Sequence, residues 1–201
     1  MEDNSSKLRQ ECWDLALHSF GYSYIFTKRA ERYGTYINYL TVFGIIVPIS
    51  VGATALGYGF NSPILKYAIA IAIPLIIIQL LFSVCSVALK WDDELSYAYE
   101  SSKDHSNLSD EFKKYANRPP ELYEDFDTKV NILNTRLKDR GEQDVKHKIK
   151  EYELRMGMRY ALREFKRECY GCKIVPLSME STNCPVCGNF NKSLILKIFK
   201  L

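Results

Sequence analysis

Charged side chains are missing from two long stretches of this chain. No Asp, Glu, Lys or Arg lies between Arg32 and Lys66, and none between Lys66 and Lys90, whereas charges recur every few residues elsewhere. The gaps argue against a soluble core as the home of these residues. Buried helices of soluble proteins usually keep a polar face, and Ile64–Leu89 has none beyond Lys66. A helix needs about 20 mostly apolar residues to cross a hydrocarbon layer of roughly 30 Å. Tyr36–Tyr58 and Tyr67–Leu89 reach that length and no third stretch does, so a two-span membrane hairpin is predicted. The mean hydropathy of −0.19 averages two unlike halves and hides this pattern.

Catalytic signatures are also lacking. There is no phosphate-binding Gly loop, nucleophile elbow or His-rich metal cluster, and His18, His105 and His147 lie apart in polar helical contexts. Glu121, Glu124, Asp125 and Asp127 open a predicted helix, where negative charge is favourable in any case. No enzymatic activity is expected. The net charge of +3 is too small to argue for nucleic acid, and Lys173, Lys192, Lys197 and Lys200 are too scattered to form a basic patch. Thirty-odd polar and aromatic residues precede the first apolar run, so a cleaved signal peptide is not expected either.

Aromatic side chains mark the expected membrane edges. Tyr33, Tyr36 and Tyr39 enter the first span, Tyr58, Phe60 and Tyr67 flank the Asn61-Ser62-Pro63 turn, and Trp91 leaves the second. Lys28, Arg29 and Arg32 precede the hairpin and Lys90 and Lys103 follow it, while the turn has only nearby Lys66. The positive-inside rule then puts both termini in the cytoplasm of a cell whose inner membrane holds the hairpin.

Four segments follow from these signals. Residues 1–35 hold an amphipathic cytoplasmic helix over Ser5–Arg32, weakened at Gly21, which fits either the membrane surface or the cytoplasmic helices. Residues 36–90 form the hairpin, with spans at 36–58 and 67–89. Residues 91–168 form a cytoplasmic helical bundle. Asp92–Lys103 extends the second span, Ser109 caps a short helix, and Pro119-Pro120 breaks the chain. Two further helices are expected, Pro120–Arg140 ending at Gly141 and Glu142–Glu168, packed as an antiparallel pair. Their apolar stripes are Phe126, Val130, Leu133 and Leu137, and Val145, Ile149, Tyr152, Met156 and Tyr160.

Residues 169–201 hold the strongest local signal. Cys169 and Cys172 stand two residues apart, as do Cys184 and Cys187, with eleven residues between the pairs. Each pair can place two sulfurs on one ion, and two pairs complete a tetrahedral thiolate shell for structural zinc with no open position for water. Disulfides are disfavoured in a reducing cytoplasm, and a redox dithiol would normally open a helix in an α/β unit that this chain lacks. Lys173–Val175 and Leu194–Leu196 have strand-like composition, as in a small zinc ribbon, and the last segment fits a helix equally well. Cys12 and Cys85 are isolated and read as small apolar residues.

Inside the hairpin, Gln79, Ser83, Ser86 and Lys90 recur at four, three and four residues and share one face of the second span. They suit a pore-facing stripe in an oligomer, or equally helix–helix hydrogen bonds within the hairpin. Gly44, Pro48 and Gly52 recur every four residues on the first span, and Pro48 and Pro74 fall near mid-membrane, where kinks are expected.

With two spans, a helical cytoplasmic region and two CxxC pairs separated by eleven residues, the chain resembles the mobilome CxxCx(11)CxxC proteins, which look like a branch of the SLATT two-helix membrane effectors of prokaryotic defence. The resemblance implies an all-α membrane protein that homo-oligomerises in the bacterial inner membrane. It would permeabilise or depolarise that membrane when a sensor encoded nearby, a cyclic-oligonucleotide synthase or a reverse-transcriptase system, reports phage infection, so that growth arrests or the cell dies. The alternative is an anchored scaffold whose zinc-stabilised region binds a protein or nucleic-acid partner. A third option is direct sensing of a small nucleotide by the cytoplasmic helices.

Overall fold

The computed structural model describes residues 2–59 and 62–190 and contains five helices and no strand among them: α1 (Glu2–Tyr58), α2 (Pro63–Ala88), α3 (Trp91–Asn117), α4 (Tyr123–Val145) and α5 (Glu151–Glu164). The chain divides into two compact units. One combines the chain up to Lys28 with Tyr99 onward, and the other is Arg29–Ala98.

Several boundaries differ from expectation for identifiable reasons. The amphipathic segment and the first span form one helix of 57 residues. Nothing between Arg32 and Tyr36 can stop a helix, since a lone interior glycine such as Gly34 costs only about 1 kcal/mol. No helix starts at Ser109. Its buried hydroxyl donates to the Ala16 carbonyl at 2.8 Å, and α3 runs on to Asn117. The second span does not continue directly into α3, because Lys90 adopts a left-handed backbone (φ 52°) that turns the chain. α4 begins three residues after Pro120 and passes through Gly141 to Val145. α5 is shorter than expected, bounded by left-handed turns at Lys148 (φ 42°) and Lys166 (φ 52°).

The first unit is built from stripes at helical spacing. Leu8, Cys12 and Ala16 of α1 pack with Leu108, Phe112 and Ala116 of α3 and Phe126, Val130 and Leu133 of α4. The small residues let the helices approach closely while the phenylalanines fill the interior. The expected α4 stripe is therefore realised against α1 and α3. The α5 stripe is realised in part: Tyr160 stacks on Phe20 and Tyr24 of α1, but Val145 is exposed at the end of α4, and the buried face of α5 consists of Glu153, Gly157, Arg159, Ala161 and Leu162. α5 crosses α1 where Gly21 and Gly157 meet. A Cβ on Gly157 would lie 2.6 Å from the Gly21 carbonyl oxygen and 2.8 Å from Ile25, so Gly157 is what permits the crossing, while at Gly21, where the sequence pattern weakens, a Cβ would stand 3.2 Å from the Gly157 carbonyl oxygen.

In the second unit α2 starts at Pro63, with the Ser62 hydroxyl accepting from the Ile64 N–H at 3.2 Å. Both α1 and α2 include a stretch long and apolar enough to cross a membrane, and those stretches are almost entirely unburied. Ile49, Leu80 and Val84 are each more than half exposed. Thr41, Ser50 and Thr54 donate to the carbonyls of Ile37, Ile46 and Ser50, one turn earlier, at 2.8–3.0 Å. These hydroxyls need no water, the arrangement that apolar surroundings require.

Candidate functional site

The four paired cysteines converge. Their Sγ atoms all lie within 4.8 Å of one another, with Cys169 to Cys184 at 3.9 Å and Cys172 to Cys187 at 3.8 Å. A tetrahedral shell with Zn–S bonds of about 2.3 Å has edges of about 3.8 Å. The donor set and these two spacings therefore suit a divalent ion of that size.

Two similar loops create this convergence. The Lys173 N–H donates to the Cys169 carbonyl at 2.8 Å, and the Gly188 N–H to the Cys184 carbonyl at 3.0 Å, so each CxxC curls over its own first cysteine. Each loop leaves through a left-handed residue, Lys173 (φ 57°) and Asn189 (φ 54°). Gly171 faces Val186, and its missing side chain leaves room where a Cβ would stand 2.8 Å from the valine; Gly188 packs against Thr182. The expected strand over Lys173–Val175 is absent, because this left-handed turn occupies its first position. Leu194–Leu196 lie outside the described residues.

The thiols do not behave as four equals. Burial pushes the Cys184 thiol up, but N–H groups at Cys187 and Val186 and the thiols of Cys187 and Cys172 outweigh it and bring its pKa down to about 7. Cys187 is driven far up by burial and by the three neighbouring sulfurs. Four sulfurs this close cannot all ionise without a cation, which is the situation a metal ion relieves.

The family of Mobilome CxxCx(11)CxxC protein matches residues 9–190, nearly the whole chain, and both cysteine pairs fall inside the match. The chain belongs to that family. No curated protein and no solved structure matches it.

The sulfur cluster of this CxxCx(11)CxxC protein is embedded in the first unit. Cys169, Cys184 and Cys187 share a buried cluster with Leu17 of α1 and Ala161 and Leu162 of α5, and Phe20, Met158 and Phe165 pack around it. Arg159 of α5 joins it from beneath: its Nε donates to the Ser178 carbonyl at 2.7 Å, and its Nη1 reaches the Cys187 carbonyl at 3.4 Å and Cys187 Sγ at 3.9 Å. Sequence reading overlooks Arg159, because an arginine in a helix rich in charge looks like solvated surface.

The hairpin residues separate. Gln79 turns toward the first span, where a Cβ on Gly44 would lie 2.6 Å from its amide nitrogen, and Ser86 is buried. Ser83 and Lys90 are exposed. A Cβ on Gly52 would meet no other part of the described chain within 4 Å, and α1 and α2 continue helically through Pro48 and Pro74.

A second polar cluster escaped the sequence reading. His105 Nε2 lies 2.6 Å from Asp144 Oδ2, and Ser101 donates to Asp144 Oδ1 at 2.8 Å, all three being buried. Arg140, on the same helix as Asp144, reaches Glu100 at 3.0 Å and Asp104 at 3.2 Å. Tyr22 and Phe26 stack on the His105 ring, and His18 meets the cluster across an open cavity of about 490 Å³. Burial, then the Asp144 charge, raises the Tyr22 phenol. The histidines His18 and His105, distant in sequence, thus line one cavity.

Proposed function

We propose that this protein is a two-span inner-membrane effector with both termini in the cytoplasm, which oligomerises and permeabilises or depolarises the membrane when a partner sensor activates it. The observation that supports the reading is the outward apolar surface of two span-length helices, the first of which closes the hydroxyls of Thr41, Ser50 and Thr54 on its own backbone. Such surface is stable in lipid and unstable in water. The SLATT resemblance supplies the defence context, with growth arrest or death as the outcome and a nucleotide synthase or reverse-transcriptase system as the sensor. No residue is assigned a catalytic role.

In this reading zinc is the resident ion of Cys169, Cys172, Cys184 and Cys187 and serves to fold the loops around it. Induction of the protein with its genomic neighbours, and phage challenge, should collapse the membrane potential, and the purified activated protein should empty dye-loaded liposomes. Intact liposomes together with a maintained potential would overturn permeabilisation.

The inward placement of Gln79 and Ser86 favours a second reading, in which the hairpin anchors a cytoplasmic scaffold for a protein or nucleic-acid partner. Exchange of the hairpin for an unrelated one separates the two: the scaffold keeps its activity and the permeabiliser loses it. Direct sensing of a small nucleotide is tested by calorimetry on the full chain.

A further inference from the structure

From the surroundings of the sulfur cluster we infer that Arg159 is the positioning residue of the metal centre, a cation that holds both arms of the second loop and partly neutralises the thiolate shell. The inference rests on the zinc reading of the four cysteines. It starts from charge. A divalent ion with four thiolates carries a net charge of −2, and this one is packed against Leu17, Ala161 and Leu162, where uncompensated charge is costly.

Arg159 is the cation in place to answer it. The side chain is 7% exposed and comes from the middle of α5, next to the closely packed Gly157 and Ala161. It has three acceptors: the Ser178 carbonyl ahead of the second CxxC pair, and the carbonyl and sulfur of Cys187 within it. One planar fork therefore sets where Ser178 stands relative to Cys187. A lysine has the charge but a single donor atom on a flexible stem, and it cannot make all three contacts in that geometry. The N–H to Cys187 Sγ is the kind of outer contact that lowers thiolate charge and orients a ligand, and loss of such contacts typically costs 10–100-fold in metal affinity.

The test uses the full chain in detergent, purified with zinc or reloaded with cobalt(II), as wild type, Arg159→Lys and Arg159→Met. Zinc affinity is measured by competition with a chromophoric chelator and helix content by circular dichroism. In the cobalt form the sulfur-to-metal charge-transfer band is recorded. Arg159→Met should bind zinc about 10-fold or more weakly and shift that band to lower energy, because a sulfur without its N–H bond gives up electrons more readily. Arg159→Lys should fall between the two.

A purely structural arginine would leave the band in place, so an unshifted band with wild-type affinity in Arg159→Met overturns the inference while the zinc reading stands. If Arg159→Met fails to fold, Arg159→Lys decides: a shifted band and weaker binding support the role, and wild-type behaviour removes it. A wild-type protein that holds no divalent ion refutes the zinc reading itself, and this inference with it.

Discussion

At the residue scale, small side chains and sulfurs carry most of the specificity. Cys12 is fully buried between α1, α3 and α4, and burial with the Glu11 charge pushes its thiol from the ordinary 9.0 to about 11. The neutral form is favoured in the folded protein. Its contribution to stability is present below pH 9 and is lost as pH rises through about 11. Iodoacetamide at pH 8.5 should therefore leave Cys12 unmodified until the protein is unfolded, as peptide mass spectrometry would detect; prompt labelling of the folded chain would contradict this placement. Gly157 is the complementary case. A methyl group there meets backbone at 2.6 Å, which a rotamer change cannot relieve. Gly157→Ala should destabilise the first unit by roughly 1–3 kcal/mol in a urea titration followed by Trp13 fluorescence. Gly44→Ala should be nearly silent, because it meets only the movable end of Gln79.

At the element scale, the polar cluster on α3 and α4 specifies which faces of those helices meet. Asp144 joins Ser101 and His105 of α3 to its own helix, with Arg140 one turn earlier. Asp144→Ala removes an acceptor while leaving buried donors behind, and should cost about 3–5 kcal/mol. Arg136→Ala breaks only an exposed pair with Glu111 and should cost less than about 1 kcal/mol. Comparable losses in the two variants would mean that the buried cluster has no special structural weight. This cluster also explains the misplaced end of α4. Gly141 looks like a stop in sequence, but Asp144 is held from across the bundle, so the helix persists one more turn. Ser109 and Gly21 follow the same logic, since each reads locally as an interruption and is used as a close contact.

At the scale of the whole molecule, the four-cysteine cluster and the two span-length helices make separate predictions. Chelation should release the amides of Lys173 and Gly188, which close the two loops, and lower the protection of Ala161 and Leu162, which share the buried cluster with the cysteines. Hydrogen exchange on the zinc-loaded and stripped protein measures both. Loss in the loops alone would mean that the centre folds independently of α5. The hairpin should keep the protein in the membrane fraction through alkaline carbonate washing, and recovery in the supernatant would exclude a spanning hairpin.

The sequence by itself determined the features that depend on neighbours along the chain. Two charge-free runs of span length and two CxxC pairs are legible because run length and short spacing are local properties, and α1, α2 and the converged sulfurs follow from them. Tertiary structure alone decided that α3 runs on through Ser109 and α4 through Gly141, that Gln79 and Ser86 turn inward, and which contacts Arg159, His105 and Asp144 make. The physical reason is that the value of a polar or small residue depends on what a distant helix brings against it, and a helical arginine or glycine looks the same in sequence whether it faces water or another helix.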